Sequence, residues 1–317
     1  MTSAVDRSVS NRRVAVIGEA AVDLVAQVNV LPRRGGFALA RSCGRFAGGS
    51  AGNVAAALSR LGHQVRFFGQ VGDDEDGRFL SRAFKRDGVD TSQLRRVPGY
   101  ETPRCLVILD EEGQRMILGF PRTPTRLRPE DFDLEAIANA ACAFIGPTHT
   151  GLARRFALAA EVGSGAICYA PGGLCHCLEF SELEPVLRRT NILFLNREEA
   201  AALAGSPDLE WGVERVLDAG PTMVVTTLGR EGALVTCGDE RYRVPATPSP
   251  RARDTTGAGD AFAAGFVAGW LRGLGPEASA RVGGAAAALT IRRLGARVGL
   301  PTWDEAVGLA GSYDGHC

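Results

Sequence analysis

The chain has 317 residues, and its 36 Lys and Arg residues balance its 36 Asp and Glu residues. A balanced charge provides no basic field for a nucleic-acid backbone or an anionic membrane, so we expect neither as a partner. The longest apolar stretch, 261–271, is far shorter than the roughly 20 residues that span a bilayer. The polar segment 1–11 lacks the apolar core of a secretory signal, and eight cysteines without such a signal favour reduced thiols. We therefore expect a cytoplasmic protein in which residues 1–11 form a disordered tail.

Strand and helix patterns alternate along most of the chain. Apolar runs at 14–18 and 65–71 predict buried strands, whereas 51–61 and 76–86 have the spacing of helices. The alternation continues from about residue 143 to residue 227, which indicates βαβ units around a mostly parallel sheet. We expect one α/β domain over residues 12–310, with three layers in the order α/β/α.

Two segments do not follow this alternation. One is a predicted hairpin, with strands at 105–109 and 115–118 and a turn at 110–113, and the other runs from Gln27 to Phe46. We assign them to a small β-sheet, called the lid, formed by about 25–46 and 100–120. In an open parallel sheet, ligands bind beyond the C-terminal ends of the strands, so functional residues are expected in the loops there.

The run Asp-Thr-Thr-Gly-Ala-Gly-Asp at 254–260 comes directly before the predicted helix at 261–271. Its small residues permit several amide groups to converge on an anion at the positive end of a helix dipole. Asp260, in the same turn, is a candidate general base for an attacking hydroxyl. A simple helix cap is the alternative, but two threonines, two glycines and two aspartates form a more specific pattern. The residues expected to supply the amides are Gly257, Ala258 and Gly259.

Two other phosphate-binding motifs are excluded. A dinucleotide fingerprint requires a third small residue where Phe262 stands, and it would follow the first strand rather than lie near the C-terminus. The pattern G-x-x-x-x-G-K-[ST] of a P-loop occurs nowhere in the sequence. The segment Cys175-His176-Cys177 has no second pair at zinc-ligand distance, so ordinary packing is favoured there.

The segment 254–260 resembles one signature of the ribokinase-like, or PfkB, carbohydrate kinase family. A second signature of that family is similar to Ala-Gly-Gly-Ser-Ala-Gly-Asn-Val-Ala at 47–55, and Val-Gly-Asp-Asp at 71–74 follows it. The resemblance extends from about Arg12 to Pro301. It implies a ribokinase-like fold and an ATP-dependent kinase that transfers the γ-phosphate to a hydroxyl of a sugar, with Asp260 as the general base and Mg²⁺ as a cofactor.

The resemblance also implies which residues bind the acceptor. Asp23 matches an aspartate that binds substrate hydroxyls, although an exposed loop carboxylate is the alternative. The family's second signature implies that a sugar lies against the glycines while the amide of Asn53 contacts its hydroxyls. A glycine turn before a helix is the alternative for this segment. The implied acceptor-binding residues are Asp23, Gly48, Gly49 and Asn53.

On the nucleotide side, Asn-Arg-Glu-Glu at 196–199 resembles the family's N-x-x-E motif. Glu199 is implied to hold Mg²⁺ through water, and a capping box is a compatible alternative. Asp254 and Thr256 match positions that hold an activating K⁺, although the serine that many relatives place near Gly299 is absent. The residues implied to bind ATP are Asn196, Thr227, Gly229 and Gly232.

The acceptor itself is less well defined by the sequence. Ser50 stands where ribose kinases of this family have lysine, and 167–173 lacks the Asp-x-Asn-x-Arg pattern of fructose kinases. A nucleoside kinase remains open, since Phe37, Phe46 or Phe120 could stack on a base. A non-catalytic sugar-binding or regulatory protein on the same scaffold remains open as well. Relatives often dimerise through the lid, so a homodimer is a further expectation.

Overall fold

The computed structural model describes residues 13–113, 115–120, 128–249 and 252–311, so the predicted tail at 1–11 lies outside the described residues. The strands are β1 (Arg13–Ile17), β2 (Ala21–Gln27), β3 (Ser42–Gly48), β4 (Gln64–Gly72), β5 (Leu94–Val97), β6 (Arg104–Leu109), β7 (Arg115–Gly119), β8 (Cys142–Ile145), β9 (Ala166–Tyr169), β10 (Ile192–Asn196), β11 (Met223–Thr227), β12 (Ala233–Cys237) and β13 (Glu240–Val244). The helices are α1 (Ser50–Arg60), α2 (Glu75–Arg86), α3 (Leu134–Ala138), α4 (Thr150–Glu161), α5 (Phe180–Leu187), α6 (Arg197–Ala204), α7 (Leu209–Asp218), α8 (Ala258–Leu271), α9 (Pro276–Thr290) and α10 (Trp303–Gly311). Within these ranges, no helix has both the length and the apolar character needed to cross a bilayer.

The main sheet has nine strands in the order β13-β12-β11-β10-β9-β8-β1-β4-β5. All neighbours from β11 to β5 are parallel, while β12 and β13 form an antiparallel edge. The predicted mostly parallel sheet is confirmed, and its parallel strands are joined by helices because such strands need a crossover connection. The C-terminal ends of the parallel strands therefore meet at one edge.

Helices cover both faces of this sheet, as the alternation along β1 shows. Val14 and Val16 pack in one hydrophobic core with α1, α2, α8 and α9, whereas Ala15 and Ile17 pack in a second core with α3 to α7. Successive side chains of a strand point to opposite faces, so one apolar strand serves both cores. The predicted three-layer α/β/α arrangement is confirmed.

The lid is a second sheet of four strands in the order β3-β2-β6-β7. Strand β2 is antiparallel to β3 and parallel to β6, and the hairpin β6–β7 is antiparallel. Its strands begin at Ala21 and reach Gly48 in the first segment, so they extend beyond the predicted 25–46. The side chains of Val25, Val107 and Leu109 form a small core of their own. Because β2 follows β1 after three residues, the lid lies directly beside the C-terminal edge of the main sheet.

A buried carboxylate attaches the lid to the main sheet. Asp76 in the first turn of α2 accepts hydrogen bonds from Arg45 of β3 and Arg104 of β6. Arg45 also donates to Glu75 at 2.8 Å and lies over the ring of Phe79. These contacts hold two lid strands to a helix of the main domain, so the lid has a defined position over the sheet edge.

Candidate active site

Helix α8 begins at the sequence motif, three residues earlier than predicted. Gly257 is its N-cap with φ of 78°, a conformation that favours glycine. The amide groups of Gly257, Gly259 and Asp260 donate to no acceptor among the described residues, while that of Ala258 lies 3.3 Å from the Thr255 carbonyl oxygen. The first turn of α8 therefore presents free amide groups, as expected for an anion-binding helix start.

Two helix N-termini meet at Asp260. Ser50, the first residue of α1, donates from Oγ to Asp260 Oδ1 at 2.7 Å, and Asn53 donates from Nδ2 to Asp260 Oδ2 at 2.8 Å. Burial raises the pKa of Asp260 above its usual range, although these two hydrogen bonds and the charges of Arg115 and Arg297 oppose the rise. A carboxylate that is held in one orientation by hydrogen bonds and has a raised pKa is suited to accept a proton near neutral pH.

Asp23 is a buried strand residue, not the exposed loop carboxylate of the alternative interpretation. It lies in the middle of β2 and is 6% exposed. Burial raises its pKa to about 7, opposed by the charge of Arg297 and increased by the carboxylates of Asp260 and Asp254. Its backbone pairs with β3 and β6, but its carboxylate has no side-chain hydrogen bond within the described ranges. The carboxylate therefore forms a polar spot where the lid meets the sheet edge.

Gly48 and Gly49, in the signature at 47–55, have packing reasons of their own. A Cβ atom on Gly48 would overlap the carboxylate of Asp23, and one on Gly49 would lie 2.6 Å from the Ala21 amide nitrogen. The carbonyl oxygen of Gly48 also accepts a hydrogen bond of 2.8 Å from Arg297 Nη2. Gly48 therefore permits the burial of Asp23, and this holds whether or not a ligand lies against it.

Asn196 and Glu199 form the capping box that the sequence permits. Asn196 Oδ1 accepts from the Glu199 amide at 2.7 Å, and Glu199 Oε2 accepts from the Asn196 amide at 2.9 Å. Burial raises the pKa of Glu199, and the carboxylate of Asp260 contributes to the same rise. Helix α6 packs on one face of the sheet and α8 on the other, so the charge of Asp260 reaches Glu199 across the sheet edge.

The remaining predicted nucleotide residues follow β11, the next strand of the sheet. Thr227 is the last residue of β11, and Gly229 opens the turn after it. A Cβ on Gly229 would meet nothing within 4 Å, whereas one on Gly232 would overlap the Val244 carbonyl oxygen. Gly229 thus faces open space that a ligand can enter, while Gly232 is required by the packing of the chain.

The predicted K⁺ residues hold two loops together. Asp254 is 1% exposed, and its carboxylate accepts from the amides of Thr256 and Gly295, each at 2.9 Å. Thr256 Oγ1 is buried and has no hydrogen-bond partner among the described residues. An orphaned hydroxyl beside a buried carboxylate is consistent with a cation ligand, because buried polar groups are normally satisfied.

Several residues at this edge were not anticipated by the sequence. Arg115 of β7 donates to Thr255 Oγ1 at 2.6 Å, so the lid hairpin touches the loop before α8. Arg297 contacts the centre of the site through Asn53. Arg115 and Arg297 belong to no sequence motif, and only their spatial neighbours identify them. Ser50 lies within the signature at 47–55, but its hydrogen bond to Asp260 was not anticipated.

A cavity of about 460 Å³ lies elsewhere, at the N-terminal ends of β1 and β4, lined by Arg13, Gln64 and Arg66 among others. Ligands of parallel sheets bind at the opposite, C-terminal ends of the strands. Asp23, Asn53 and Asp260 all lie at that opposite edge, so we place the functional site there and not in this cavity.

The raised pKa of Asp23 makes the stability of the ligand-free protein depend on pH. Between the ordinary value of 3.8 and about 7, the folded state holds the Asp23 proton more tightly than the unfolded state, so stability falls as pH rises. The Asp23→Asn variant has no carboxylate to ionise at this position. We therefore expect its free energy of unfolding, relative to that of the parent, to rise by about 2 to 3 kcal/mol between pH 5 and pH 8.

Chemical denaturation at several pH values measures this difference. Asp239→Asn, at an exposed turn, is the control and should show no such dependence. An Asp23→Asn variant that is less stable than the parent at pH 8 would contradict the unfavourable burial.

Comparison with known proteins gives a consistent result over the whole chain. The family described as pfkB family carbohydrate kinase matches residues 11–303. The ATP-dependent ribose-1-phosphate kinase of Halopiger xanaduensis is 34% identical over 293 residues, which cover 92% of this chain and 96% of that relative. The nucleoside kinase of Methanocaldococcus jannaschii is 24% identical over 300 residues, covering 93% of this chain and 95% of that protein.

A solved structure has the same fold. Arabidopsis thaliana ribokinase, complexed with ribose and ATP, superimposes with a TM-score of 0.82 at 25% identity, and the match covers 95% of this chain and 99% of that one. Because the family pattern spans nearly all described residues, including both signatures, the chain belongs to the pfkB family of carbohydrate kinases and is an ATP-dependent kinase of a sugar or nucleoside.

Proposed function

We propose that Asp260 is the general base of the transfer. An acceptor hydroxyl oxygen forms a bond to the γ-phosphorus of ATP, the bond from that phosphorus to the bridging oxygen breaks, and ADP leaves. The hydroxyl proton passes to the Asp260 carboxylate. The observation that supports this role is the position of Asp260 in the first turn of α8, beside free amide groups and held by Ser50 and Asn53.

The free amide groups at 257–260 stabilise the phosphoryl group as it moves. Gly257, Gly259 and Asp260 have amides without acceptors, and a helix N-terminus favours negative charge. The amide of Ala258 joins them if its weak contact with Thr255 opens. Since these donors are fixed by the helix, they need no reorganisation during the transfer.

The nucleotide lies beyond β10 and β11 in this proposal. Thr227 and Gly229 border the open space there, Asn196 is at the end of the neighbouring strand, and Gly232 shapes the turn. Glu199 would hold Mg²⁺ through water, and the ion would neutralise phosphate charge when ATP is bound. Within the described ranges, no three His, Cys, Asp or Glu side chains are grouped as a metal site, which fits an ion that is held mainly by phosphate and water.

The acceptor binds between the lid and the sheet edge. Asp23 offers carboxylate oxygens without partners, and Asn53 and the backbone at Gly48 and Gly49 line the same place. A sugar that donates vicinal hydroxyls to Asp23 would satisfy its buried oxygens. The names of the relatives, a ribose-1-phosphate kinase, a nucleoside kinase and a ribokinase, support a ribose-containing acceptor.

A free sugar or sugar phosphate is favoured over a nucleoside by the position of Phe46. This residue is the cross-strand neighbour of Asp23, where a stacking ring would be useful. Its ring instead packs over Gly295 and beside Leu294. Phe37 is 89% exposed and Phe120 is 42% exposed, so neither is held over Asp23.

The role of Asp260 predicts a large loss of turnover when only its charge is removed. Asp260→Asn keeps hydrogen-bonding groups toward Ser50 and Asn53 but cannot take a proton, so kcat should fall by about 10³-fold or more. Ser50→Ala removes one hydrogen bond and leaves the carboxylate, so its kcat should fall by less than about tenfold. Both are measured by ADP release, with circular dichroism to show that each variant is folded. Asp260→Asn retaining a tenth of the turnover would rule out the general-base role.

An ADP-release panel identifies the acceptor and tests the cation. Pentoses, pentose phosphates, hexoses and nucleosides are compared with Mg²⁺, with and without K⁺. We expect turnover with a ribose-containing acceptor, stimulation by K⁺, and loss of that stimulation in Thr256→Val because of its orphaned hydroxyl. Thermal stabilisation by a sugar without any turnover across the panel would favour the non-catalytic binding protein.

The outer side of the lid is suited to a second copy of the chain. Met116 and Leu118 of the edge strand β7 are 50% and 61% exposed, and an unpaired edge with apolar side chains favours pairing. Homodimerisation through the lid is therefore part of the proposal. Leu118→Glu should shift the sedimentation coefficient to that of a monomer, whereas Val162→Glu, on an exposed end of α4, should not. A parent chain that sediments as a monomer at every concentration would contradict it.

A cytoplasmic location and a single kinase unit over 12–310 are also part of the proposal. The seven cysteines in the described ranges carry free thiols, which fits a reducing, ATP-containing cytoplasm. Residues from both signatures meet at one site, which supports a single kinase unit over 12–310. Secretion of the folded chain into an oxidising compartment, or separate folding of its halves, would argue against these assignments.

A further inference from the structure

We propose that Arg297, in the loop after α9, is a positioning residue that orients the amide of Asn53 and, through it, the carboxylate of Asp260. The inference rests on the proposed role of Asp260 as the general base. It concerns a side chain that the family signatures do not contain and that lies behind the acceptor site.

The Arg297 side chain is held on three sides. Its Nε donates to Asn53 Oδ1 at 3.0 Å, and its Nη2 donates to the carbonyl oxygen of Gly48 at 2.8 Å. Its guanidinium carbon lies 4.7 Å from the ring centre of Phe84. The residue is only 8% exposed, so this geometry is set by the interior of the protein.

These contacts decide which way the Asn53 amide faces. A guanidinium is only a donor, so the group of Asn53 that faces Arg297 must be the oxygen Oδ1. The nitrogen Nδ2 then faces the opposite way, where it donates to Asp260 Oδ2 at 2.8 Å. Without Arg297, the oxygen Oδ1 loses its donor, and the amide is held only by the hydrogen bond from Nδ2 to Asp260.

Three successive residues of the Arg297 loop touch three parts of the site. The Gly295 amide donates to Asp254 at 2.9 Å, and a Cβ on Gly257 would lie 2.7 Å from Ala296 Cβ. Arg297 then reaches Asn53 of α1. The loop therefore joins the start of α8, which carries Asp260, to the start of α1, which carries Asn53.

Helix α1 also has space for the guanidinium. A Cβ on Gly52 would overlap Arg297 Nη2 and would lie 3.3 Å from the ring of Phe84. A glycine within a helix costs about 1 kcal/mol relative to alanine, so its place here needs a packing reason. Arg297 supplies that reason.

The charge of Arg297 acts on both site carboxylates. Burial lowers the pKa of Arg297 to about 10, so it stays protonated at neutral pH. The charged groups that face it are Asp87 at the end of α2, Asp23 of β2 and Asp260 of α8. Asp87 Oδ2 lies 3.7 Å from Nη1, and neither atom has a hydrogen-bond partner within the described chain. The two directed hydrogen bonds of Arg297 are thus those toward the site, whereas Asp87 acts on it through charge.

Positioning and charge can be separated by two substitutions. Arg297→Met removes both, so kcat should fall by about 10- to 100-fold and the acidic limb of the kcat/KM profile should move to higher pH. Arg297→Lys restores the charge but not both directed hydrogen bonds. Its acidic limb should return toward the parent position while its kcat at the pH optimum stays at least about fivefold low. The KM for ATP should change by less than about twofold in both, because Arg297 contacts no predicted nucleotide residue.

Two further variants serve as an independent test and a control. Gly52→Ala displaces Nη2 while keeping the arginine, and it should lower kcat by about tenfold without lowering the thermal unfolding midpoint by more than a few degrees. Asp87→Asn removes a charge that faces Arg297 but neither of its directed hydrogen bonds, so kcat should stay within about threefold of the parent. If Arg297→Met does not fold, Arg297→Lys and Gly52→Ala decide the question.

The outcomes separate this inference from the proposed function. The positioning role is overturned if Arg297→Lys and Gly52→Ala keep kcat within twofold of the parent and if Arg297→Met, when folded, keeps the parent pH profile. If Asp260→Asn is inactive in the same experiments, Asp260 remains the base. If Asp260→Asn retains its turnover, the general-base role fails first. A loss of stability without any loss of kcat in folded Arg297 variants would show a purely structural residue and would likewise overturn the inference.

Discussion

The site depends on the meeting of two helix N-termini at one carboxylate. Asp260 in the first turn of α8 accepts hydrogen bonds from Ser50 and Asn53 in the first turns of α1. Each helix start has backbone amide groups without intrahelical acceptors and a partial positive charge. In the proposed function, this arrangement attracts phosphate and holds a carboxylate close to it. Helix α1 begins just after the lid strand β3, and α8 begins after a long connection from β13. The two helices pack in the same hydrophobic core, and this packing brings their starts together.

The same edge concentrates charge in a poorly solvated place. Asp23 and Asp260 face the buried cation Arg297, the charge of Asp254 acts on Asp23, and the pKa of Asp23 rises to about 7. Proteins of this size are only marginally stable, so such a cluster is a cost that the rest of the fold must offset. A polyhydroxyl ligand that donates hydrogen bonds to these carboxylates would lower the free energy of the folded protein.

In the proposed function, the lid covers this open edge. Asp76 attaches two lid strands to α2. A hydrogen bond from Arg115 to Thr255 joins the β6–β7 hairpin to the loop before α8. Excluding water matters for a kinase, because water is itself an acceptor for the γ-phosphate. Asp23 is itself a lid residue, so in this proposal closure and acceptor recognition use the same small sheet.

Much of this was contained in local patterns of the sequence. The alternation of apolar runs and helical spacing predicted the parallel sheet, since a buried strand and an amphipathic helix differ in period. The combination of threonines, glycines and aspartates at 254–260 predicted Gly257 and Asp260 as site residues, whereas Asn53 was implied by the family resemblance. The lid was predicted only in outline, and its strands proved longer than the assigned segments.

What only the tertiary structure decided are the contacts between residues that are far apart in the chain. Asn53 and Arg297 are 244 residues apart, and Ser50 and Asp260 are 210 apart, so no local pattern links them. The burial of Asp23 likewise depends on the whole lid, since an aspartate in a short strand gives no sign of its solvent exposure. The sequence by itself determined the fold class, the family signatures and the chemistry of individual groups. The packing of the sheet edge determined which of those groups touch, because hydrogen bonds and desolvation depend on distance in space and not along the chain.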